Sequence, residues 1–249
     1  MKRVIFLILM SFILMSCGDD KKTGNIDMVF YLTYKGEPLV MFDTFQYPVT
    51  NKNITFTRFA AYLSKVSFIK NDGAEVDKLD IDFLDMTNAH NKQNASMGFT
   101  YSFKEVDEGD YNSFRFSLGV PAEMNAKAPK DFPSDNVLSS SANYWSSWKS
   151  YIFTRTEGKM DSDGNGSLEN TFALHAGGDE AFITFTGEKN FKVREGQTTR
   201  IELEIDMEKY FNGKTLYDID VNPSIHSLEH KPLINILREN LGKAVLIRG

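Results

Sequence analysis

The amino-acid sequence predicts an all-β protein: an antiparallel β-sandwich with a long loop near its middle and a short helix close to the C-terminus. Three observations support this class. Several segments alternate apolar and polar residues with the period of two that is typical of half-buried strands. Turn signals containing glycine separate these segments. The 20 phenylalanines and ten tyrosines supply enough aromatic side chains for the core of a sandwich.

The N-terminus has the pattern of an export signal. A basic pair precedes the apolar residues 4–15, a run that is short for a membrane span and typical of a signal peptide. The run ends in Leu14-Met15-Ser16-Cys17, which resembles a bacterial lipobox, where the chain is cleaved before a cysteine that then receives lipid. We therefore divide the chain into a signal peptide at 1–16, a lipidated tether at 17–25 and a folded domain at 26–249.

Cys17 is the only cysteine of the chain. The alternative to lipidation is a free exported thiol, which secreted proteins avoid. With Cys17 lipidated, disulfides, zinc–thiolate sites and cysteine nucleophiles are excluded. The acidic pair Asp19-Asp20 resembles the export signal of surface lipoproteins in the Bacteroidota. The expected location is the outer membrane or the cell surface, with the protein held to the membrane through its lipid anchor.

The charge of the chain argues against polyanionic partners. The formal net charge is −6 at pH 7, with 28 basic and 34 acidic residues. Removing the signal peptide takes away Lys2 and Arg3, so the mature chain is more acidic still. An acidic chain without basic clusters is not expected to bind nucleic acid.

Period-two alternation is clear in four segments. Their apolar positions are Met28, Phe30 and Leu32; Val66 and Phe68; Phe114, Phe116 and Leu118; and Ile201, Leu203 and Ile205. Each alternation predicts a strand with one face in the core. Turns are predicted at Lys35-Gly36, Asn71-Asp72-Gly73, Glu108-Gly109, Gly187-Glu188 and Glu195-Gly196.

Two further segments complete the predicted architecture. Residues 121–142 have no periodicity and read as a long loop, and loops of that length in compact domains are often functional. Pro232–Gly242 has proline near its start, helical apolar spacing and a terminal glycine, which predicts one amphipathic helix. We find no internal repeat or linker, so the sequence favours a single domain.

The chain has four histidines, and three of them are candidate metal ligands. His175 follows an apolar strand and precedes two glycines; it is either a core residue bonded to a backbone carbonyl or a metal ligand held through its second ring nitrogen. His226 and His230 would share a face of a helix, as zinc and copper sites often require, but the flanking prolines argue against a regular helix. We expect one of this pair to face solvent, and we assign His90 to the surface.

Asp161-Ser-Asp-Gly-Asn-Gly166 matches the first six positions of an EF-hand loop. Asp161, Asp163 and Asn165 would be the calcium ligands. The twelfth position holds Phe172 in place of the expected glutamate, and Glu169 could substitute in part. The alternative is a polar hairpin loop without metal, since many turns are rich in aspartate, asparagine and glycine.

The predicted loop leads into Tyr144-Trp145-Ser-Ser-Trp148, which contains both tryptophans of the chain. Alternation along a strand would place Trp145 and Trp148 on opposite faces. The whole segment, which continues through Tyr151 and Phe153 to Glu157-Gly158, resembles the central motif of the copper-binding MbnP-like family. Its members are exported β-sandwich proteins associated with methanobactin and copper handling.

Further segments resemble the family in the same order along the chain. They are Arg58–Val66, Gly109–Gly119, Leu174–Gly177, and Ile225-His226 with the late Asn235, and the resemblance extends over residues 26–240. The resemblance implies copper binding through histidines and a tryptophan oxidised to kynurenine, with the oxidation attributed to a partner di-haem enzyme of the peroxidase type. It implies that His175 and His226 are the metal ligands, and that Trp145 or Trp148 is the oxidised residue.

Two other functions remain open from the sequence. Exposed aromatic residues on a sandwich could stack on glycans or peptides, which would make the protein a surface interaction module without metal. A hydrolase is the remaining class, but the sequence has no Gly-x-Ser-x-Gly elbow, no phosphate-binding loop and no His-Glu-x-x-His motif. We therefore expect a binding protein that is not an enzyme.

Overall fold

The structure is a computed structural model that describes residues 21–248, except for the side chain of Leu228. The predicted signal peptide and Cys17 lie outside the described residues. Within residues 21–248, no helix combines the length and apolarity that crossing a membrane requires.

The described chain forms fourteen strands and four α-helices, which we number in chain order. The strands are β1 Thr23–Tyr34, β2 Glu37–Pro38, β3 Phe45–Gln46, β4 Asn53–Lys70, β5 Glu75–Asp85, β6 Phe99–Asp107, β7 Gly109–Leu118, β8 Tyr144–Trp145, β9 Ser150–Met160, β10 Asn170–Gly177, β11 Ile183–Val193, β12 Thr198–Asp206, β13 Ser224–Ile225 and β14 Val245–Ile247. The helices are α1 Lys92–Met97, α2 Ala122–Asn125, α3 Met207–Asn212 and α4 Lys231–Ala244.

Two sheets pack against each other, which confirms the predicted β-sandwich. The five-stranded sheet has the order β14-β12-β1-β2, with β6 also paired to β1. The nine-stranded sheet has the order β11-β7-β4-β9-β10-β13, with β3 and β5 paired to β4 and β8 paired to β9. Most pairs are antiparallel, as predicted, but β1 with β12 and β10 with β13 are parallel.

Aromatic side chains join the two sheets. Phe30 on β1 meets Phe116 on β7 edge to face, with ring centroids 5.9 Å apart. Phe103 on β6 meets Phe68 on β4 in the same way at 5.4 Å. All four rings are buried. Such pairs contribute about 0.5–1.5 kcal/mol each beyond the burial of their area, so they help to fix how the sheets face each other.

The alternation read from the sequence is confirmed where it was clearest. In β12, Ile201, Leu203 and Ile205 are fully buried while the intervening glutamates are partly exposed. The turn at Asn71-Asp72-Gly73 joins β4 to β5, and Gly73 has a φ of 87° there, which favours glycine. Local periodicity and turn chemistry therefore agree with the tertiary arrangement at these positions.

Two predicted boundaries differ from the structure. The turn predicted at Gly187-Glu188 is wrong, because β11 continues through it and pairs with β7. A Cβ atom at Gly187 would lie 2.2 Å from Cζ of Phe114, so this glycine makes room for a ring. The first strand begins at Thr23, so residues 23–25, assigned to the tether, already pair with β6 and β12.

The long loop and the late helix both occur. Residues 121–142 contain α2 and 3-10 turns at Pro129–Asp131 and Val137–Ser139, but no strand. Tyr151 of β9 donates a hydrogen bond through its hydroxyl to the carbonyl oxygen of Leu138 at 2.7 Å, which ties this loop to the sheet. Helix α4 confirms the predicted helix and extends it by one residue at the N-terminal end and two at the C-terminal end.

Candidate metal centre

The candidate site lies at one margin of the nine-stranded sheet, where β8, β9, β10 and β13 meet. Strand β10 pairs antiparallel with β9 and parallel with β13. The parallel register sets Leu174 opposite Ile225. One residue further along each strand, the same register brings His175 beside His226. Strand pairing thus joins two histidines that are far apart in the sequence.

Trp145 and Trp148 lie at the two ends of a turn. Strand β8 ends at Trp145, and the backbone N–H of Trp148 donates to the carbonyl oxygen of Trp145 at 3.1 Å. The two indoles meet almost perpendicularly with ring centroids 4.3 Å apart. The prediction that they face opposite sides is therefore wrong, because the chain reverses between them and strand alternation does not apply.

Trp148 is the buried member of the pair, with 8% of its surface exposed. Its indole Nε1–H donates to the backbone carbonyl oxygen of His226 at 3.2 Å. A Cβ atom at Gly177 would lie 3.2 Å from Cζ3 of Trp148 and 2.5 Å from the carbonyl oxygen of Tyr151. Gly177 therefore allows β10 to lie close to the turn, and Trp148 anchors the chain that carries His226.

Trp145 contacts both histidines and is partly exposed. Its ring centroid lies 5.6 Å from that of His175 and 5.1 Å from that of His226. The two imidazole centroids are 4.9 Å apart. The structure therefore brings together three of the four residues that the sequence nominated for the metal site and its oxidised aromatic residue, with Trp148 directly behind them.

His175 is buried, with 7% of its surface exposed. Its Nε2 lies 2.7 Å from Oε1 of Glu157, so the ring is held by a carboxylate and not by a backbone carbonyl. Among the described residues, the buried Nδ1 has no hydrogen-bond partner. Buried polar atoms are nearly always paired, so this nitrogen needs an explanation. A metal ion bound at Nδ1 would provide one, since ligating histidines usually donate their other N–H to such a partner.

Glu157 is in turn held by Arg155. The guanidinium donates to Oε1 of Glu157 through Nε at 3.0 Å and Nη2 at 2.8 Å. The hydrogen bond with His175, followed by the charge of Arg155, lowers the pKa of Glu157 to about 2 against the opposing effect of burial. The carboxylate is therefore ionised at neutral pH and accepts a hydrogen bond from the Nε2–H of His175.

His226 lies on the exposed side of the site. Partial desolvation, followed by the neighbouring His175 and His230, lowers the pKa of His226 below its ordinary value. This favours the neutral imidazole, which is the form that binds metals. The backbone N–H of His226 donates to Nδ1 of His230 at 3.2 Å. His230 thus accepts a hydrogen bond from the backbone of His226, and the two histidines do not lie on one regular helix.

Two other residue groups from the sequence analysis, His90 and the candidate calcium loop, lie outside this centre. His90 is exposed and stacks on Phe42 with ring centroids 5.2 Å apart. Glu157-Gly158, at the end of the segment that resembles the family motif, lies within β9. A Cβ atom at Gly158 would lie 2.0 Å from the carbonyl oxygen of Thr55, so the motif glycine allows β4 and β9 to approach.

The candidate calcium loop joins β9 to β10 as a hairpin. Asp161 is buried, and its carboxylate accepts from the backbone N–H of Gly164 at 2.7 Å and of Gly166 at 2.9 Å. Asp163 and Asn165 bond within the loop in the same manner. Single carboxylate oxygens of Asp161, Asp163 and Glu169 lie within 4.8 Å of one another. The side-chain oxygens of the loop already accept hydrogen bonds from its own backbone N–H groups, so this geometry does not require calcium. Calcium binding stays a prediction.

Sequence reasoning missed the roles of Glu157 and Arg155. In the β9–β10 register, His175 lies opposite Arg155 and diagonal to Glu157, and such diagonal neighbours are within reach of long side chains. The period-two spacing of Arg155 and Glu157 was a usable signal, because it puts both side chains on one face of β9. Only the pairing of β9 with β10 shows that His175 shares that face.

Two packed sheets with a histidine–tryptophan cluster at one edge define a β-sandwich protein with an aromatic-lined candidate site. The model of the MbnP family matches residues 23–227. The chain belongs to the MbnP family. A structure of MbnP from Methylosinus trichosporium is similar, with a TM-score of 0.55 and 13% identity over 78% of this chain and 80% of that one, which shows a shared fold. No curated protein matches the chain.

Proposed function

We propose that this protein is a copper-binding protein of the cell envelope, held to the outer membrane or cell surface by a lipid on Cys17, and that it is not an enzyme. The observation that carries the proposal is the pair of adjacent imidazoles, one of which has a buried Nδ1 without a hydrogen-bond partner among the described residues. Imidazole nitrogens suit several transition metals. The choice of copper rests on the family to which the chain belongs.

The residues that would hold copper are His175, through Nδ1, and His226. Trp145 contacts both rings and is the residue we propose for oxidation to kynurenine, whose aromatic amine would add a nitrogen ligand. Trp148 is the weaker candidate, because its indole N–H is already bonded to a backbone carbonyl. We propose that the oxidant is a di-haem partner of the peroxidase type.

Copper titration of the purified protein tests this function. Copper bound per chain should fall strongly in His175→Ala and His226→Ala, because each variant removes one imidazole ligand. His90→Ala is the matched control, since it removes an exposed histidine outside the centre. The proposal is overturned if His175→Ala and wild type hold equal amounts of copper when purified from the native host.

The tryptophan part of the proposal has a separate test. Peptide mass analysis of protein from the native host should find kynurenine at Trp145 and an unchanged indole at Trp148. An unmodified Trp145 in copper-loaded protein would remove the oxidation step and leave copper binding by the histidines in place.

A glycan- or peptide-binding surface is the other function that the sequence left open. Only 8% of the surface of Trp148 is exposed, and its ring packs against Trp145, so it offers no open face for a sugar ring. Binding of a glycan that survives chelators and disappears in Trp145→Ala would favour this function over copper.

A further inference from the structure

The hydrogen-bond network around His175 includes side chains that are not proposed metal ligands. Four side chains from three segments form one continuous hydrogen-bonded chain: Asn143, Arg155, Glu157 and His175. Arg155 donates through Nη1 to Oδ1 of Asn143 at 3.1 Å and through Nε and Nη2 to Oε1 of Glu157. Glu157 Oε1 lies 2.7 Å from Nε2 of His175. Asn143 directly precedes the strand that contains Trp145.

The chain of contacts is shielded enough to have a fixed geometry. The exposed fractions of the side chains are 9% for His175, 25% for Glu157 and 19% for Arg155. Asn143 as a whole is 8% exposed. Charge-assisted hydrogen bonds in such surroundings are shorter and stronger than those between neutral groups. The charges of Arg155 and Glu157 also offset each other, so the carboxylate stays ionised without an unpaired charge near the core.

We propose that Glu157 is a positioning residue: it holds His175 in the tautomer that carries the proton on Nε2 and leaves Nδ1 free to bind metal. Arg155 extends this effect to the tryptophan turn, because the same guanidinium holds Glu157 and Asn143. One side chain therefore sets the imidazole and the start of the Trp145 segment relative to each other. This inference rests on the proposed function for the identity of the metal, and on the contacts alone for the orientation of His175.

Glu157→Leu removes the acceptor and keeps a side chain of similar size. Two measurements are needed. In metal-free protein, the hydrogen-bonded Nε2–H proton of His175 should give a resolved downfield NMR resonance in wild type that disappears in Glu157→Leu. In a competition titration with Cu(I), the affinity of Glu157→Leu should fall by about 10- to 100-fold, the usual effect of losing such a partner. Glu157→Gln retains an acceptor oxygen and should keep the resonance and part of the affinity.

Glu75→Leu is the matched control, because Glu75 also pairs with an arginine on the nine-stranded sheet, Arg115, but has no contact with the centre. It should change neither the resonance of His175 nor copper affinity. If Glu157→Leu does not fold, Arg155→Met tests the same network, and it should shift the Nε2–H resonance and change the fluorescence of the tryptophans.

The results separate this inference from the proposed function. If His175→Ala abolishes copper binding while Glu157→Leu keeps wild-type affinity and an unchanged resonance, the positioning role is overturned and the function stands. If wild type binds no copper, the function fails, and the resonance in metal-free protein still decides whether Glu157 orients His175.

Discussion

At the scale of single residues, the feature to explain is the free-energy cost of a buried polar atom without a hydrogen-bond partner. A buried nitrogen without a partner costs about 1–3 kcal/mol. His175 Nδ1 is such an atom in the described part of the chain, while the opposite nitrogen of the same ring contacts a carboxylate. This asymmetry matches the arrangement of a metal ligand, whose second ring nitrogen usually donates to a carboxylate or carbonyl partner. If a metal binds at Nδ1 as proposed, the metal-bound protein is expected to be more stable than the metal-free protein.

Glu157 predicts an acid dependence of stability. Its pKa in the folded protein is about 2, against about 4.3 for an ordinary glutamate. A carboxyl with a lowered pKa contributes stability above its unfolded pKa and loses it as the pH falls towards the folded value. In metal-free protein, the urea midpoint of wild type should fall more steeply between about pH 5 and 2 than that of Glu157→Gln. Parallel curves would contradict this, and Glu37→Gln, at an exposed position, is the control.

Gly158→Ala should destabilise the fold by roughly 1–3 kcal/mol, the usual cost of overpacking. The new Cβ atom would lie 2.0 Å from the carbonyl oxygen of Thr55 and 2.4 Å from Cζ of Phe172, so backbone and ring must both move. Thermal or urea unfolding measures the change. Gly109→Ala is the control, since its nearest neighbour is the flexible end of Lys70 at 3.2 Å. Equal stabilities of the two variants would show that β9 accommodates the methyl group.

At the scale of elements, a buried amide of the C-terminal helix satisfies backbone groups of α3 and of the turn after it. Asn240 of α4 is fully buried. Its Oδ1 accepts from the backbone N–H groups of Lys214 and Thr215 at 2.8 and 3.0 Å. Its Nδ2 donates to the carbonyl oxygens of Tyr210, Phe211 and Thr215. The end of α3 and the turn after it therefore depend on a side chain of α4 to satisfy their backbone groups.

Asn240→Ala should lower the free energy of unfolding by at least about 2 kcal/mol, because several buried backbone groups lose their partner together. Chemical denaturation monitored by circular dichroism provides the measurement. Asn212→Ala is the control, since that amide makes a single exposed contact with Glu208 at 3.4 Å. A stability of Asn240→Ala within error of wild type would mean that water satisfies the turn instead.

At the scale of the whole molecule, the proposed lipidation site Cys17 precedes the folded domain in the sequence. The structure describes the chain from residue 21, and β1 begins at Thr23, so at most five residues lie between Cys17 and the first strand. A lipid at Cys17 would therefore hold the sandwich close to the membrane surface. Lys21 and Lys22, at the start of the described chain, pair with Asp107 and Glu195.

Cys17→Ser should move the protein from the membrane fraction to the soluble fraction while its copper content stays unchanged, because lipidation and metal binding use different residues. Cell fractionation and intact mass measure the two effects. A wild-type protein whose mass shows no lipid would contradict the anchor. Copper loss in Cys17→Ser would instead indicate that export to the correct compartment is needed for loading.

The sequence by itself determined the features that depend on neighbours along the chain. The alternation in β12, the turn at Asn71-Asp72-Gly73, helix α4 and the order of the family motifs all follow from residue type and short-range spacing. Only the tertiary structure decided which residues meet in the centre. Trp145 and Trp148 share one side because a turn separates them, and His175 meets Glu157 and His226 through its pairing with β9 and β13. The physical reason is that strand order and register join distant segments, and local periodicity contains no information about either.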